Sequence, residues 1–457
     1  MEPRDLTVSQ AASKIRTGEL SPVTLMESLL DRIDALEPSL KAWVTLDRQA
    51  ALSAARESEV TLKQRGPNGL LHGVPIGVKD IFYTQGVLTT ACAPRYANFV
   101  PDHDATSVAR LKDAGAIILG KTVTTQFAAG DPSPTFSAWH PDHTPGGSSS
   151  GSAVAVSTRM CPAALGSQTG GSTLRPAAYN GIVGLKATYG RISKYGVVPL
   201  AWSLDTVGIL VRTVEDAALI LQVMAGYDPN DPTSSPSPVD DYVGAIQGPL
   251  TPPRIGLVRD FFYERATEEV RRHTDEVAGR LKNSGADVRE VKLPRTFQAH
   301  DAACRIVYNV EAAAFHQQMY TDNPDDYGPS LRRTIESGVL HSGVDYLQAQ
   351  RVREMVRGEM REVMADVDIL LTPATPSAAP HGRTTTGDPV FQRGWTSVGL
   401  PAISIPSGLD DGGLPLGIQL AAAPFAETRL LADARWCEQA LDVTLVPPTL
   451  PEANQTT

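Results

Sequence analysis

Apolar residues recur every three or four positions at Met26, Leu29, Leu30 and Ile33, directly after Ser21-Pro22. A serine able to accept a backbone N–H, followed by proline at the first helical position, marks a helix start. The first stretch, about residues 1–60, therefore reads as a helical arm packed on a core. From about residue 70 the period changes. Short apolar runs, Val74 to Val78, Ala116 to Leu119, Arg254 to Val258 and Val288 to Val291, alternate with amphipathic stretches at Asp104 to Ala114, Val214 to Ala225 and Glu268 to Leu281. A further helix is entered through Ser152 to Val156. Such alternation predicts an α/β sheet covered by helices.

Cys304 to Val367 reads as largely helical and carries Tyr308, Tyr320, Tyr327 and Tyr346. These residues suit either a cap over a site or buried aromatic packing. Strand-like runs return at Ile369 to Leu371, Ala402 to Ile405 and Leu416 to Leu420, before a last amphipathic helix from Glu427 to Leu441. The Pro/Asp/Ser stretch from Tyr227 to Asp241 reads as a surface excursion inside one domain rather than a linker, because true linkers are scarce inside compact enzymes.

Composition narrows the function. With 42% hydrophobic and 20% charged residues, the 457-residue chain has the make-up of an ordinary globular protein. A formal net charge of −10 with no sustained Lys/Arg run argues against a nucleic-acid surface. A small-molecule substrate is the expectation. Cys92, Cys161, Cys304 and Cys437 lie far apart with no CxxC pair, so neither a disulfide framework nor a zinc site is indicated. No signal pattern or membrane-length apolar stretch is present, and a cytoplasmic protein with reduced thiols is expected.

Three motifs fail on context. Gly115 to Thr122 matches the P-loop pattern, but the apolar run between its glycines is a strand rather than a flexible phosphate cradle. Gly147-Ser148-Ser149-Ser150-Gly151 matches GxSxG and points at Ser149, yet the segment before it reads as an irregular loop instead of the strand that a nucleophile elbow requires. His140 and His143 flank Pro141, which forbids helical presentation, and no third metal ligand is evident.

What remains is a pair of serine-in-glycine clusters, 145–151 and 166–172, with Lys79 upstream at the end of Gly73-Val74-Pro75-Ile76-Gly77-Val78-Lys79-Asp80. Glycines beside a hydroxyl let backbone N–H groups approach a substrate carbonyl, the requirement of an oxyanion hole. A lysine next to serines can activate them only as the neutral amine, so burial must lower its pKa by about 3 from ~10.4. A hydrolase that works without histidine follows.

Gly73 to Asp80, Pro145 to Ala153 and Gly171 to Ala177 resemble the three defining blocks of the amidase signature family, and Ser203 to Gly208, Asp368 to Pro373 and Gly399 to Ala402 are similar to its later landmarks. The resemblance implies a single large domain, residues 61–457, with a central twisted mixed β-sheet covered by helices on both faces and a helical substrate cap at about 304–367. It implies Ser172 as nucleophile, a cis-bonded Ser148 twenty-four positions earlier as relay, and Lys79 as base. Backbone N–H groups of Thr169, Gly170, Gly171 and Ser172 would form the oxyanion hole. No metal or organic cofactor is implied.

Two positions depart from the common family pattern: Gln168 where many members have Asp, and Leu174-Arg175 where an arginine commonly stands one place earlier. Both resemble a malonamidase-like branch, which implies substrate-facing roles for Gln168 and Arg175. Arg175 either binds a substrate carboxylate or braces its loop. The expected activity is hydrolysis of a small-molecule amide, with carbamate, urea-type or ester cleavage open to the same nucleophile. No nucleic acid or membrane partner is expected, and a homodimer is compatible. The alternative is an amidotransferase A-type subunit that hands ammonia to a partner enzyme.

Overall fold

The computed structural model describes residues 2–448. Its strands are β1 (Trp43–Leu46), β2 (Pro75–Lys79), β3 (Ile117–Thr122), β4 (Ala163–Gln168), β5 (Val183–Lys186), β6 (Thr206–Val211), β7 (Arg254–Val258), β8 (Asp287–Val291), β9 (Ile369–Pro373), β10 (Ala402–Leu409) and β11 (Pro415–Ala421). They form one eleven-stranded sheet in the order β1-β3-β2-β4-β6-β5-β10-β11-β9-β7-β8. The sheet is mixed: β2 runs parallel to β3 and β4, β7 runs parallel to β8 and β9, and antiparallel pairs join the rest.

The helices are α1 (Val8–Thr17), α2 (Pro22–Leu40), α3 (Arg48–Arg65), α4 (Thr106–Asp113), α5 (Ser150–Ser157), α6 (Leu174–Asn180), α7 (Val214–Met224), α8 (Tyr242–Gln247), α9 (Glu268–Asn283), α10 (Phe297–Asp322), α11 (Pro329–Leu340), α12 (Gly343–Val363), α13 (Val390–Ser397) and α14 (Glu427–Leu441). Ser21 caps α2 as its sequence predicts, its hydroxyl accepting from Val23 N at 3.0 Å with Pro22 at the first position.

Alternate residues of the central strands enter different apolar clusters. Ala163 and Leu165 join one cluster with Ile209 and Val211, while Ala164 and Leu210 join another with Ala153, Val154 and Ala155 of α5. A sheet covered on both faces requires this division. Every residue of α5 is buried, which explains why Ser150 to Ser157 shows no polar stripe in the sequence.

The N-terminal segment is not made of helices alone. β1 lies inside it and pairs with β3, carrying Trp43 to the sheet edge. The 227–241 stretch is tied down within the same body: Arg191 donates to Ser237 O and Pro238 O at 3.0 and 2.8 Å, and the Asp228 carboxylate accepts from Thr106 and Ser193 hydroxyls at 2.6 Å each.

α13 packs beside the site through Trp395, which is fully buried and lies 5.6 Å from Phe262 in a stacked arrangement and 5.8 Å from Phe297. Trp395→Ala is expected to cost about 3–5 kcal/mol, because so large a hole cannot fully collapse. A lowered midpoint in urea unfolding, followed by circular dichroism, checks this.

Candidate active site

β2 and β4 are adjacent and parallel, with Val78 opposite Leu165. Their C-terminal ends therefore lie side by side, and the register brings Lys79 beside Gly166 and Ser167. Lys79 is fully buried, and its Nζ lies 2.7 Å from Ser148 Oγ and 2.8 Å from Ser167 Oγ. Burial holds this amine well below the ordinary lysine range, with the Asp205 carboxylate pulling it partly back up. The neutral form, the one able to accept a proton, is thus the form the surroundings favour.

The peptide bond between Gly147 and Ser148 is cis. Ser149 N donates to Ser172 O at 3.3 Å, which sets the two serine clusters against each other. Ser149 itself points elsewhere: its hydroxyl is buried, donates to Ser167 O at 3.4 Å and accepts from Ser167 N at 3.2 Å. This is a bracing contact, and the GxSxG pattern does not place Ser149 on the cavity.

Ser172 lines a cavity of about 390 Å³ together with Thr169, Gly170, Gly171 and Arg175. The backbone N–H groups of Gly170, Gly171 and Ser172 donate to no protein acceptor among the described residues, so they are free to meet a ligand oxygen. A Cβ at 171 would stand 2.6 Å from Gln392 Oε1 and 3.1 Å from Pro389 Cβ, so any larger residue there has to displace the Gln392 side chain.

The glycine turn is held from behind. Gln168 is fully buried and does not line the cavity; its Oε1 accepts from Thr173 N and Leu174 N at 3.0 Å each, and its Nε2 donates to Thr396 Oγ1 at 3.0 Å. Thr396 Oγ1 in turn donates to Gly170 O at 3.0 Å. On the other side, Thr169 Oγ1 donates to Asp205 Oδ1 at 2.5 Å, and Asp205 Oδ2 accepts from Leu200 N and Ala201 N at 2.9 and 3.0 Å.

Arg175 reaches the cavity wall but spends its fork on the scaffold. Nη2 donates to Gly147 O at 2.7 Å and Thr386 Oγ1 at 2.9 Å, and Nη1 donates to Gly387 O at 2.8 Å. Burial pushes its pKa down to about 10. The helical segment after Cys304 supplies the far wall through Cys304, Arg305, Tyr308 and Asn309 of α10 and Ser330 and Thr334 of α11.

The sequence places Ser167 in the second serine cluster and Asp205 in the 203–208 landmark without giving either a role, and it does not point to Thr396. Ser167 follows Gly166, the residue that the β2–β4 register sets beside Lys79, so pairing the two strands brings its hydroxyl within reach of the amine at 2.8 Å. Asp205 had its signal in that landmark, whereas Thr396, from a distant segment, had none.

The rejected motifs resolve in the same way. Ile117 to Thr122 is strand β3, so the P-loop match holds no phosphate cradle. His140, His143 and His381 cluster, with ring centroids 4.9 and 5.4 Å apart in succession, yet no group of three His, Cys, Asp or Glu able to hold a metal occurs among the described residues. No helix there is long and apolar enough to cross a membrane.

Residues 24–431 match the family model described as Amidase. The A-type subunit of the glutamyl-tRNA(Gln) amidotransferase of Geobacter sp. (strain M21) is 38% identical, covering 95% of this chain and 97% of its own. Among solved structures, a chain of a vestigial protein complex bearing on the evolutionary origins of an s-triazine catabolic enzyme superposes with a TM-score of 0.90 at 29% identity, covering 96% of this chain and 100% of that one. Native peptide amidase from Stenotrophomonas maltophilia superposes at 0.85 with 28% identity, covering 97% and 98%.

The first of these relatives overturns two expectations. A free-standing hydrolase of small amides or carbamates gives way to the alternative, because the full-length relative belongs to an amidotransferase. Likewise, the expectation of a small-molecule partner without nucleic acid does not stand beside a relative named for a tRNA-borne substrate. The physical reason is plain. Lysine and serine motifs describe how an amide is split, and the same site serves whether the nitrogen is discarded or delivered elsewhere.

Proposed function

The chain belongs to the amidase family, and from that premise we propose that it is the amide-splitting A-type subunit of an amidotransferase. The observation that carries this reading is likeness along the whole length of such a subunit from a known amidotransferase, with the Lys79–Ser148 contact and the Ser172 cavity supplying the chemistry.

In this reading neutral Lys79 takes a proton from Ser148 as Ser148 takes one from Ser172, and Ser172 Oγ bonds to the carbonyl carbon of an amide donor. The N–H groups of the 169–172 turn receive the oxyanion. The carbon–nitrogen bond then breaks, the proton returning from Lys79 through Ser148 to the leaving nitrogen, which departs as ammonia. Water hydrolyses the remaining ester and frees Ser172.

The ammonia passes to a partner protein that holds the acceptor, a glutamyl group on tRNA. A net charge of −10 leaves RNA contact to that partner. The test is nitrogen transfer: with partner proteins, ATP, charged tRNA and a ¹⁵N-amide donor, mass spectrometry of the released aminoacyl group should show the label. Release of labelled ammonia with no labelled acceptor, whatever partner proteins are supplied, would overturn the reading.

A further inference from the structure

The N–H groups of the 170–172 turn serve an oxyanion only while they point into the cavity, and the direction of each is set by whatever holds the carbonyl in its own peptide plane. A peptide unit is planar, and the trans form sets its N–H opposite its C=O. The Gly170–Gly171 bond is trans, the one cis bond among the described residues being Gly147–Ser148. Gly171 O accepts from Arg175 N at 3.0 Å, so the start of α6 aims the Ser172 N–H. The Gly171 N–H has no such local support. Its carbonyl, Gly170 O, lies between β4 and α6, and its one donor among the described residues is Thr396 Oγ1 at 3.0 Å.

Thr396 reaches the turn from a rigid element. It is buried on α13, next to Trp395, which packs against Phe262 and Phe297 in the core. Its hydroxyl carries one proton and meets two carbonyls, Gly170 O and, one helical turn back, Gln392 O at 3.1 Å. Gln168 Nε2 donates to the same oxygen at 3.0 Å, which engages it as an acceptor and leaves its proton to the carbonyls. The other end of the Gln168 amide accepts from Thr173 N and Leu174 N, in place of the cap that the Thr173 side chain does not give α6. One amide thus ties together the start of α6, α13 and the glycine turn.

We propose that Thr396 is a positioning residue: by holding Gly170 O it turns the Gly171 N–H into the cavity towards the developing oxyanion, and Gln168 acts through it. Neither side chain lines the cavity. Without the hydroxyl, a peptide flanked by two residues that lack Cβ rotates easily, and its N–H is misdirected rather than lost. This inference rests on the reading of Ser172 as the amide-cleaving nucleophile.

Thr396→Val keeps the shape and removes the hydroxyl, whereas Thr396→Ser keeps the hydroxyl. With p-nitrophenyl acetate as the acyl probe, burst kinetics separate binding from acylation. Thr396→Val should slow acylation by about 10- to 100-fold, somewhat less than outright removal of an oxyanion donor, and leave Kd within about twofold. Thr396→Ser should recover most of the loss. Gln168→Met should slow acylation too, and combining it with Thr396→Val should cost less than the product of the two, since both act through one oxygen.

A second readout needs no turnover. The sequence holds three Gly-Gly pairs, 146–147, 170–171 and 412–413, so glycine labelled with ¹³C at its carbonyl and with ¹⁵N gives one carbonyl–amide NMR correlation for each. The 170–171 signal should move in Thr396→Val and keep its wild-type place in Thr396→Ser, with 412–413 unmoved as the check on folding. A 170–171 signal unmoved in Thr396→Val, or acylation there as fast as in the wild type, would overturn the proposal. Acylation that persists in Ser172→Ala overturns the nucleophile reading instead, and the 170–171 signal still decides whether Thr396 holds the turn.

Discussion

Ser172→Ala is expected to lower release of ammonia from the amide donor by roughly 10⁴-fold or more, because in the proposed mechanism Ser172 supplies the nucleophile that splits one difficult step into two. The structure makes the prediction specific to one hydroxyl among many. Ser148, Ser149, Ser150, Ser152 and Ser167 are all buried within the same region, and each already has a protein partner: Lys79 for Ser148 and Ser167, the carbonyls of Ser167, Gly146 and Leu165 for the others. Ser172 stands at the cavity beside unspent backbone N–H groups. The fold should survive, since alanine removes one oxygen facing open space. Ammonia release assayed by coupled glutamate dehydrogenase, with unfolding curves in parallel, reads both outcomes. A loss of activity that tracks a loss of folded protein would speak against a chemical role.

Lys79→Arg removes activity at every pH, which distinguishes a base from a charge. Arginine keeps the positive group but cannot release its proton in a protein, so it cannot serve as a base. In the wild-type chain, burial lowers the Lys79 pKa, and activity rises with pH as the amine is deprotonated, levelling once the neutral form predominates. Stability follows the same sign. The unfolded chain keeps a proton on this lysine up to about pH 10.4, while the folded chain gives it up at lower pH. Between the two values the unfolded state binds more protons, so the stability contributed by Lys79 increases with pH. The stability of the wild type relative to Lys79→Met should therefore grow from neutral pH towards pH 10. Lys121 and Lys186, lowered by burial to about 8 and about 7, titrate in both proteins and cancel in the comparison.

Where local signals were strong, the sequence and the fold agree. Ser21 and Pro22 begin α2, Arg254 to Val258 is β7, and Glu427 to Leu441 is α14. The strand that carries the site was not legible, since β4 reads Ala-Ala-Leu-Gly-Ser-Gln, with no β-branched or aromatic residue to announce it. Its identity comes from pairing with β2 and β6, which is a long-range fact.

The trio of Lys79, Ser148 and Ser172 was legible through its resemblance to a family, and the contact between Lys79 and Ser148 gives two of the three a physical link. The surrounding frame was hidden for a different reason. Gln168 looked like a substrate contact because it departs from the family pattern, but its amide lies behind the glycines, joining the start of α6 to Thr396 of α13. Residues 168 and 396 are far apart in the chain, and only packing shows that they share a task. The fate of the released nitrogen was out of reach in principle, since no motif that splits an amide records where the ammonia goes.

The central claim is that this amidase-type enzyme works through an ester on Ser172. The most direct measurement is to mix the chain with its amide donor, quench within a turnover, digest, and locate any acyl group by tandem mass spectrometry. The account predicts the acyl mass on Ser172 and its disappearance in Ser172→Ala. An acyl group on Ser148, Ser149 or Ser150, or full turnover in the Ser172→Ala protein, would contradict it.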